Sequence, residues 1–222
     1  MSAPSSGPDS RASARFIAID GVDGAGKGTQ VQLLRDALIA RGHKVHVTCE
    51  PSEWPIGGMI RRYLRRELTE GLPGWDSMAL LFAADRMQHL EHEILPRLAR
   101  GEVVITDRYD ASSIAYQSAM RGESADEALE WIAAINGHAR RPDLTIILDV
   151  EPEIAAHRRS IRGGAEELLE KIDLQRRVRS QYAKLPRVRP HDRIVTIDAS
   201  PPADAVHERV LTEVSVVLSP PG

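Results

Sequence analysis

The chain has 222 residues, a formal net charge of -3 and the composition of an ordinary globular protein, which suits one large domain and gives no reason to expect nucleic acid as a partner. Its one cysteine, Cys49, excludes an internal disulfide and a cysteine-based zinc cluster, and fits a reducing cytoplasm. No apolar run approaches the ~20 residues of a membrane span, so no membrane partner is expected.

Residues 1–14 lack the apolar core of a signal peptide and read as a disordered leader, residues 15–218 as a single domain and 219–222 as a short tail. The first strand is expected at Phe16–Ile19, followed at once by DGVDGAGKGTQ and a helical pattern carried by Val31, Leu34 and Leu38. Strand, glycine loop and helix in that order make a phosphate cradle, because loop amides point inward and the helix N-terminus adds partial positive charge. Gly21, Val22, Asp23, Gly24, Ala25, Gly26, Lys27, Gly28 and Thr29 are therefore expected to hold a polyphosphate, with Lys27 as its mobile cation. An ordinary tight turn is the alternative, and the three glycines, the lysine and the flanking elements together weigh against it.

A short strand at Val45–Thr48 ends in Glu50-Pro51, and helices are expected at Ile56–Leu68 and Ser77–Leu98. Val103–Thr106 is a third strand, closed by Asp107-Arg108; helices follow at Ala111–Arg121 and Ala125–Ala139. Leu144–Leu148 is a fourth strand, Ile154–Arg162 and Glu166–Lys184 are helices around Gly163-Gly164, Arg193–Ile197 is a fifth strand and Ala203–Leu218 the closing helix. Five apolar strands separated by helices indicate an α/β fold: one parallel sheet with helices on both faces, plus a mobile, arginine-rich lid at about 158–170. Ligands bind beyond the carboxyl ends of such strands, where Asp20, Glu50, Asp107-Arg108 and Asp149 fall.

Asp107 is placed to hold Mg²⁺ directly or through water, with Thr29 as the nearest loop hydroxyl, since Gly28 stands where Ser or Thr is usual. Arg108 beside it can clamp phosphate oxygens. Phe82 and Arg86, four apart, share a helix face and could stack on and hydrogen-bond a base. Spacing alone favours the plainer assignment of Phe82 to the core and Arg86 to solvent. Arg158, Arg159 and Arg162 beside Gly163-Gly164 suit either a lid that delivers cations on closure or a solvated basic helix end.

DGVDGAGKGTQ, EPSEWPIGGMIR, LLFAADRMQH, DRYDASSIAYQ, RPDLTIILDV and the segment from His157 to Glu170 occur in the order seen in thymidylate kinases, which the chain resembles from about Phe16 to Leu218. The resemblance implies the P-loop nucleoside monophosphate kinase fold and transfer of the γ-phosphoryl of ATP to dTMP, with Mg²⁺, commonly in a homodimer. It implies that Asp23 holds the sugar 3′-hydroxyl and that Glu50 and Arg61 belong to the substrate pocket. It implies that Phe82 stacks on thymine, Arg86 bonds a thymine carbonyl, and Ser113 and Gln117 contact the base. Tyr116 would pack under the deoxyribose, and Arg108 would bridge the donor and acceptor phosphates. Lys27, Arg108 and lid arginines would supply the transition-state charge; Gly24, where some members have arginine, sends that duty to Arg158 and Arg162. Cys49, Trp54, Gly28 and Leu168 depart from the common pattern. A kinase for another monophosphate or small acceptor, and a regulatory P-loop protein that transfers nothing, are the rival readings.

Overall fold

The computed structural model describes residues 14–68, 71, 73–162, 169 and 171–219, with the side chain of Arg162 excluded. Residues 1–13 of the leader expected at 1–14, the Gly163-Gly164 hinge, Leu168 and the end of the tail lie outside the described residues. Five strands form one parallel sheet: β1 (Arg15–Gly21), β2 (Val45–Cys49), β3 (Val103–Asp107), β4 (Leu144–Asp149) and β5 (Ile194–Asp198), in the order β2-β3-β1-β4-β5. The strands are apolar on both faces because side chains alternate and both faces are covered. Ile17, Ile19 and Ile105 pack into one cluster with Leu34, Leu38, Val206 and Val210. Phe16, Ala18 and Val104 pack into the other with Leu90, Ile94 and Tyr109.

The helices are α1 (Lys27–Ala40), α2 (Pro55–Leu64), α3 (Trp75–His89), α4 (Leu95–Ala99), α5 (Asp110–Met120), α6 (Ala125–Ile135), α7 (Pro152–Arg162), α8 (Ile172–Tyr182), α9 (Leu185–Val188) and α10 (Ala203–Leu218). Four differ markedly from the pattern-based expectation. α6 stops at Ile135 rather than Ala139, and α8 starts at Ile172 rather than Glu166, with Lys171 non-helical before it. α2 stops at Leu64, before Arg66 takes the left-handed conformation (φ 58°). The helix expected over Ser77–Leu98 is α3 and α4 joined by a widened π turn at Leu90–Ile94. Pro96 supplies the reason: inside a regular helix it lacks an amide donor and crowds the carbonyl four residues back, and a wider turn relieves this.

β1 has β3 on one side and β4 on the other, so the connections leaving β1 and β3 diverge. The register sets Ile19 opposite Asp107, which brings Asp20-Gly21 and Asp107-Arg108 to one crevice at the strand ends.

Candidate active site

The phosphate loop turns from β1 into α1 through Gly26, whose left-handed φ of 96° caps the helix. Lys27, the first helical residue, is buried, and its Nζ donates to the Gly21 and Val22 carbonyls at 3.2 and 2.9 Å. Burial, then the nearby Arg108 cation, pushes its ammonium down to about 8. Facing it, Asp107 Oδ1 is buried with no hydrogen-bond partner. A Cβ on Gly28 would stand 3.8 Å from Asp107 Oδ2, so the glycine leaves open space between the start of α1 and that carboxylate. Lys27, Gly28, Thr29, Asp107 and Arg108 line one cleft together with Asp23, Gly24, Gly26, Cys49 and Glu50.

A second cleft, with about 630 Å³ of empty space, lies beside it and is lined by Phe82, Arg86, Ser113, Tyr116, Gln117, Leu64 and Pro51 among others. Its lining of aromatic rings, apolar side chains and a few convergent polar groups is of the kind that small-molecule sites use. Asp23, Glu50 and Arg108 line both clefts and mark their boundary. Phe82 is half-buried in the wall, and Arg86, one turn on, is only 1 % exposed. The plainer assignment of Arg86 to solvent is therefore corrected. Its guanidinium donates to Glu50 Oε2 at 2.6 Å, to Ser113 Oγ at 2.9 Å and to Asn136 Oδ1, and lies 5.1 Å from the Tyr109 ring centre. A cation so deep needs such partners, since an unpaired buried charge is prohibitively costly. Two buried atoms of cleft-lining residues still lack partners: the Arg86 Nε donor and the Gln117 Oε1 acceptor.

Arg108 sits at the boundary with φ 72°, a left-handed conformation that a non-glycine residue seldom adopts. Its guanidinium pairs with the Asp23 carboxylate and donates to Ser112 Oγ at 2.9 Å, to the Tyr116 hydroxyl at 3.2 Å and to the Gly21 carbonyl at 3.3 Å. It also lies 4.8 Å from the Tyr116 ring centre. Burial raises the Asp23 carboxyl, but Arg108 and Lys27 outweigh it and hold the group below its ordinary value. Gln175 of α8 clamps Asp23 from the other side, donating to Oδ2 at 3.0 Å and accepting from the Asp23 amide at 2.9 Å. Neither Gln175 nor Asn136 stands out in the sequence: Gln175 is one of many polar residues on α8, and Asn136 lies in the turn just after α6.

The lid arginines divide differently from the expectation. Arg158 donates to the Ala199 and Ser200 carbonyls beyond β5, at 2.9 and 3.0 Å. Arg159 instead lies over the loop, donating to the Asp23 carbonyl. The helical phase of α7 separates neighbours by about 100°, so only one of the two can face the loop. A Cβ on Gly24 (φ 91°) would come within 2.3 Å of the Ala155 carbonyl of α7 and 3.1 Å of Arg159 Cγ. The α7 backbone at Ala155, with Arg159 beside it, therefore occupies the place that a side chain at position 24 would take.

Arg61 of α2 donates to the Pro51 carbonyl at 2.6 Å, pairs with Glu53 and lies 3.3 Å from Cys49 Sγ, beside the cis Glu50–Pro51 peptide. Trp54 lies outside the cleft lining: its ring packs 4.8 Å from that of His92, and its indole donates to Glu93 at 3.1 Å. It is a packing residue of the π turn and does not narrow the pocket. Among the described residues no helix is long and apolar enough to cross a membrane, and no group of three or more His, Cys, Asp or Glu could by itself hold a metal.

The thymidylate kinase family model matches residues 19–210. A probable thymidylate kinase of Pyrococcus abyssi is 41% identical over 198 residues, covering 88% of this chain and 93% of the relative. One of Thermococcus kodakarensis is 38% identical over 208 residues, covering 91% and 98%. One of Pyrobaculum aerophilum is 45% identical over 167 residues, covering 75% and 80%. With a parallel five-stranded sheet, a glycine-rich loop and an adjoining cleft on one crevice, the chain belongs to the thymidylate kinase family, ATP-dependent enzymes that phosphorylate dTMP.

Proposed function

We propose that the two clefts hold ATP and dTMP end to end and that Arg108 bridges the phosphates between them. The observation that carries this reading is Arg108 itself, which lines both clefts and is held by Asp23, Ser112 and Tyr116. Phosphoryl transfer is mostly positioning and charge neutralisation. The loop amides of residues 21–29 and Lys27 bind the donor phosphates, Lys27 turning from its own loop carbonyls toward them. Arg159, over the loop, is the α7 arginine best placed to add charge, with Arg162 as a second candidate. Arg158 braces the segment after β5.

On the acceptor side Phe82 stacks on the base. Arg86 and Gln117 offer the unused donor and acceptor noted above, which suit thymine's carbonyls and ring N–H. Ser113 and Glu50 hold Arg86 in place, and Arg61 faces the acceptor phosphate. Tyr116 and Asp23 take the sugar, the ring leaving no room for a 2′-hydroxyl and the carboxylate accepting from the 3′-hydroxyl. The residues present fit Mg²⁺: Asp107 has a buried, unpartnered oxygen, Thr29 lies nearby, and open space adjoins Gly28. Mg²⁺ takes one or two carboxylates and keeps waters and phosphate oxygens for the rest. Bound there, it would neutralise charge on the donor phosphates.

A cytoplasmic homodimer fits an unpaired Cys49 and the exposed Leu80 and Met87 on α3; a monomeric mass by sedimentation would refute the dimer. A coupled ATP-consumption assay tests the site. Turnover should be highest with dTMP and poor with UMP, AMP and CMP. Arg108→Ala should lower kcat at least about 100-fold while the KM for ATP changes only a few-fold, because that cation acts on the transition state. An unchanged kcat would remove Arg108 from the reaction.

A further inference from the structure

Behind Arg108 lies a buried acid that phosphoryl transfer does not itself require. Asp20, the last residue but one of β1, has no exposed surface. Its Oδ1 accepts from the Ser112 hydroxyl and lies 3.4 Å from the Tyr182 hydroxyl, while its Oδ2 has no partner. Ser112 Oγ in turn accepts from Arg108 Nη1 at 2.9 Å. The links run in one direction: guanidinium N–H to serine oxygen, serine O–H to carboxylate. Hydrogen bonds aligned head to tail in a low-dielectric interior strengthen one another.

This is a costly arrangement for stability alone. A buried carboxylate with one oxygen unsatisfied carries a desolvation penalty that an apolar residue would avoid. Every group that Oδ1 touches leads back to the site. Ser112 leads to Arg108, and Tyr182 stands 3.3 Å from the Gly21 carbonyl that Arg108 also contacts. Arg108 has a left-handed backbone that must be held in place, and its two terminal nitrogens are held by four acceptors, of which Ser112 Oγ is one whose own proton can turn toward it or away.

We infer that Asp20 is a positioning residue for Arg108, acting through Ser112. Its carboxylate holds the serine proton turned inward, so that a serine lone pair always faces the guanidinium. The arginine is thereby fixed between the two clefts before either nucleotide arrives. The inference rests on the reading of Arg108 given above.

The groups facing Asp20 are Ser112 and Asp110 of α5, Arg108 after β3, Lys27 of α1 and Tyr182 of α8. Burial pushes the Asp20 carboxyl up to about 6; Ser112, Arg108 and Lys27 pull it down and Asp110 raises it. Protonation removes the charge at the end of the chain, so kcat should fall as pH drops through that value. A phosphate monoester also ionises near pH ~6, so the decisive quantity is the difference between the wild type and its variants.

The experiment measures kcat at saturating Mg-ATP and dTMP from about pH 5 to about pH 9, where the profile reports groups in the ternary complex. Wild type, Asp20→Asn, Asp20→Glu, Ser112→Ala, the Asp20→Asn/Ser112→Ala double variant and Arg108→Ala are compared. Asp20→Asn should lower kcat about 10- to 100-fold near pH 8, with both KM values changed less than about threefold, and should keep only the acid limb that belongs to the substrate. Asp20→Glu should recover part of the loss. The double variant should be no slower than its slower parent, because the two residues act in series. Wild-type kcat with an unchanged profile in Asp20→Asn overturns the inference, as does a purely additive double variant. If Asp20→Asn does not fold, Ser112→Ala decides alone by the same criteria. If Arg108→Ala keeps its kcat, the reading of Arg108 has failed; if only Asp20→Asn keeps it, this inference alone has failed.

Discussion

In the acceptor cleft the deepest charges already have their partners: Arg86 is bonded to Glu50, Ser113 and Asn136, and Asp23 to Arg108 and Gln175. In the phosphate loop Lys27 is turned onto its own loop carbonyls, and Asp107 keeps a buried oxygen with no partner. The protein thus completes the charges of the acceptor half and leaves the Arg86 Nε donor and the Gln117 Oε1 acceptor open there, while the loop half, on the proposed function, is completed by polyphosphate and metal. A neutral base and a sugar are recognised by shape and a few directed bonds, which a rigid cleft can supply in advance. A polyphosphate brings several charges of its own, and groups arranged to meet it are left unsatisfied without it.

The largest expected effect tests the finished half. Arg86→Met leaves Glu50 buried without its strongest partner and should cost about 3–5 kcal/mol of stability as well as dTMP binding. Chemical denaturation beside the KM for dTMP reads both; a variant as stable as wild type would show that the acceptor cleft is not held by this pair. The middle effect tests the unfinished half. With its ammonium pushed down to about 8 by burial, Lys27 should lose its proton above that pH in the free enzyme, and bound phosphates should restore it. ATP affinity should therefore fall as pH rises past 8, by up to about tenfold per pH unit, and Lys27→Met should flatten that slope. Titration calorimetry showing a flat profile for the wild type would mean that the lysine is already charged in the empty loop. The smallest effect marks the border of the finished half: Trp54→Phe loses one bond to Glu93 and should cost about 1 kcal/mol, leaving the KM for dTMP within about twofold. A large rise in that KM would place Trp54 in the pocket after all.

The same contrast governs how much the sequence discloses. Strands were legible because a doubly covered parallel sheet demands unbroken β-branched runs, and Ala203–Leu218 was legible to the residue because Pro202 precedes it and apolar spacing fills it. The loop was legible because its chemistry is local: glycines, lysine and helix lie within a dozen residues. Arg86 was not, because what buries it comes from Glu50, Ser113 and Asn136, on three other elements. Gln175 and Tyr182 were missed for the same reason; Asp20 was placed at the strand ends, but its link through Ser112 to Arg108 was not. Arg158 and Arg159 could not be told apart, since the phase of α7 against the loop is a packing outcome. The widened turn before Pro96 escaped because apolar spacing continues through it.

Gly24 and Ala155 have a consequence for how such loops can change. On the proposed function an arginine reaches the donor phosphates from α7, and the Ala155 carbonyl lying where any Cβ at position 24 would go excludes a loop arginine in this packing. No single substitution moves that arginine to the loop: Gly24→Arg collides with helix backbone, which cannot yield as a side-chain tip would. α7 must be displaced first, and displacing it removes Arg159 before a replacement is in place. Loop and helix therefore form one unit of exchange, and only a simultaneous swap of both leaves a working intermediate.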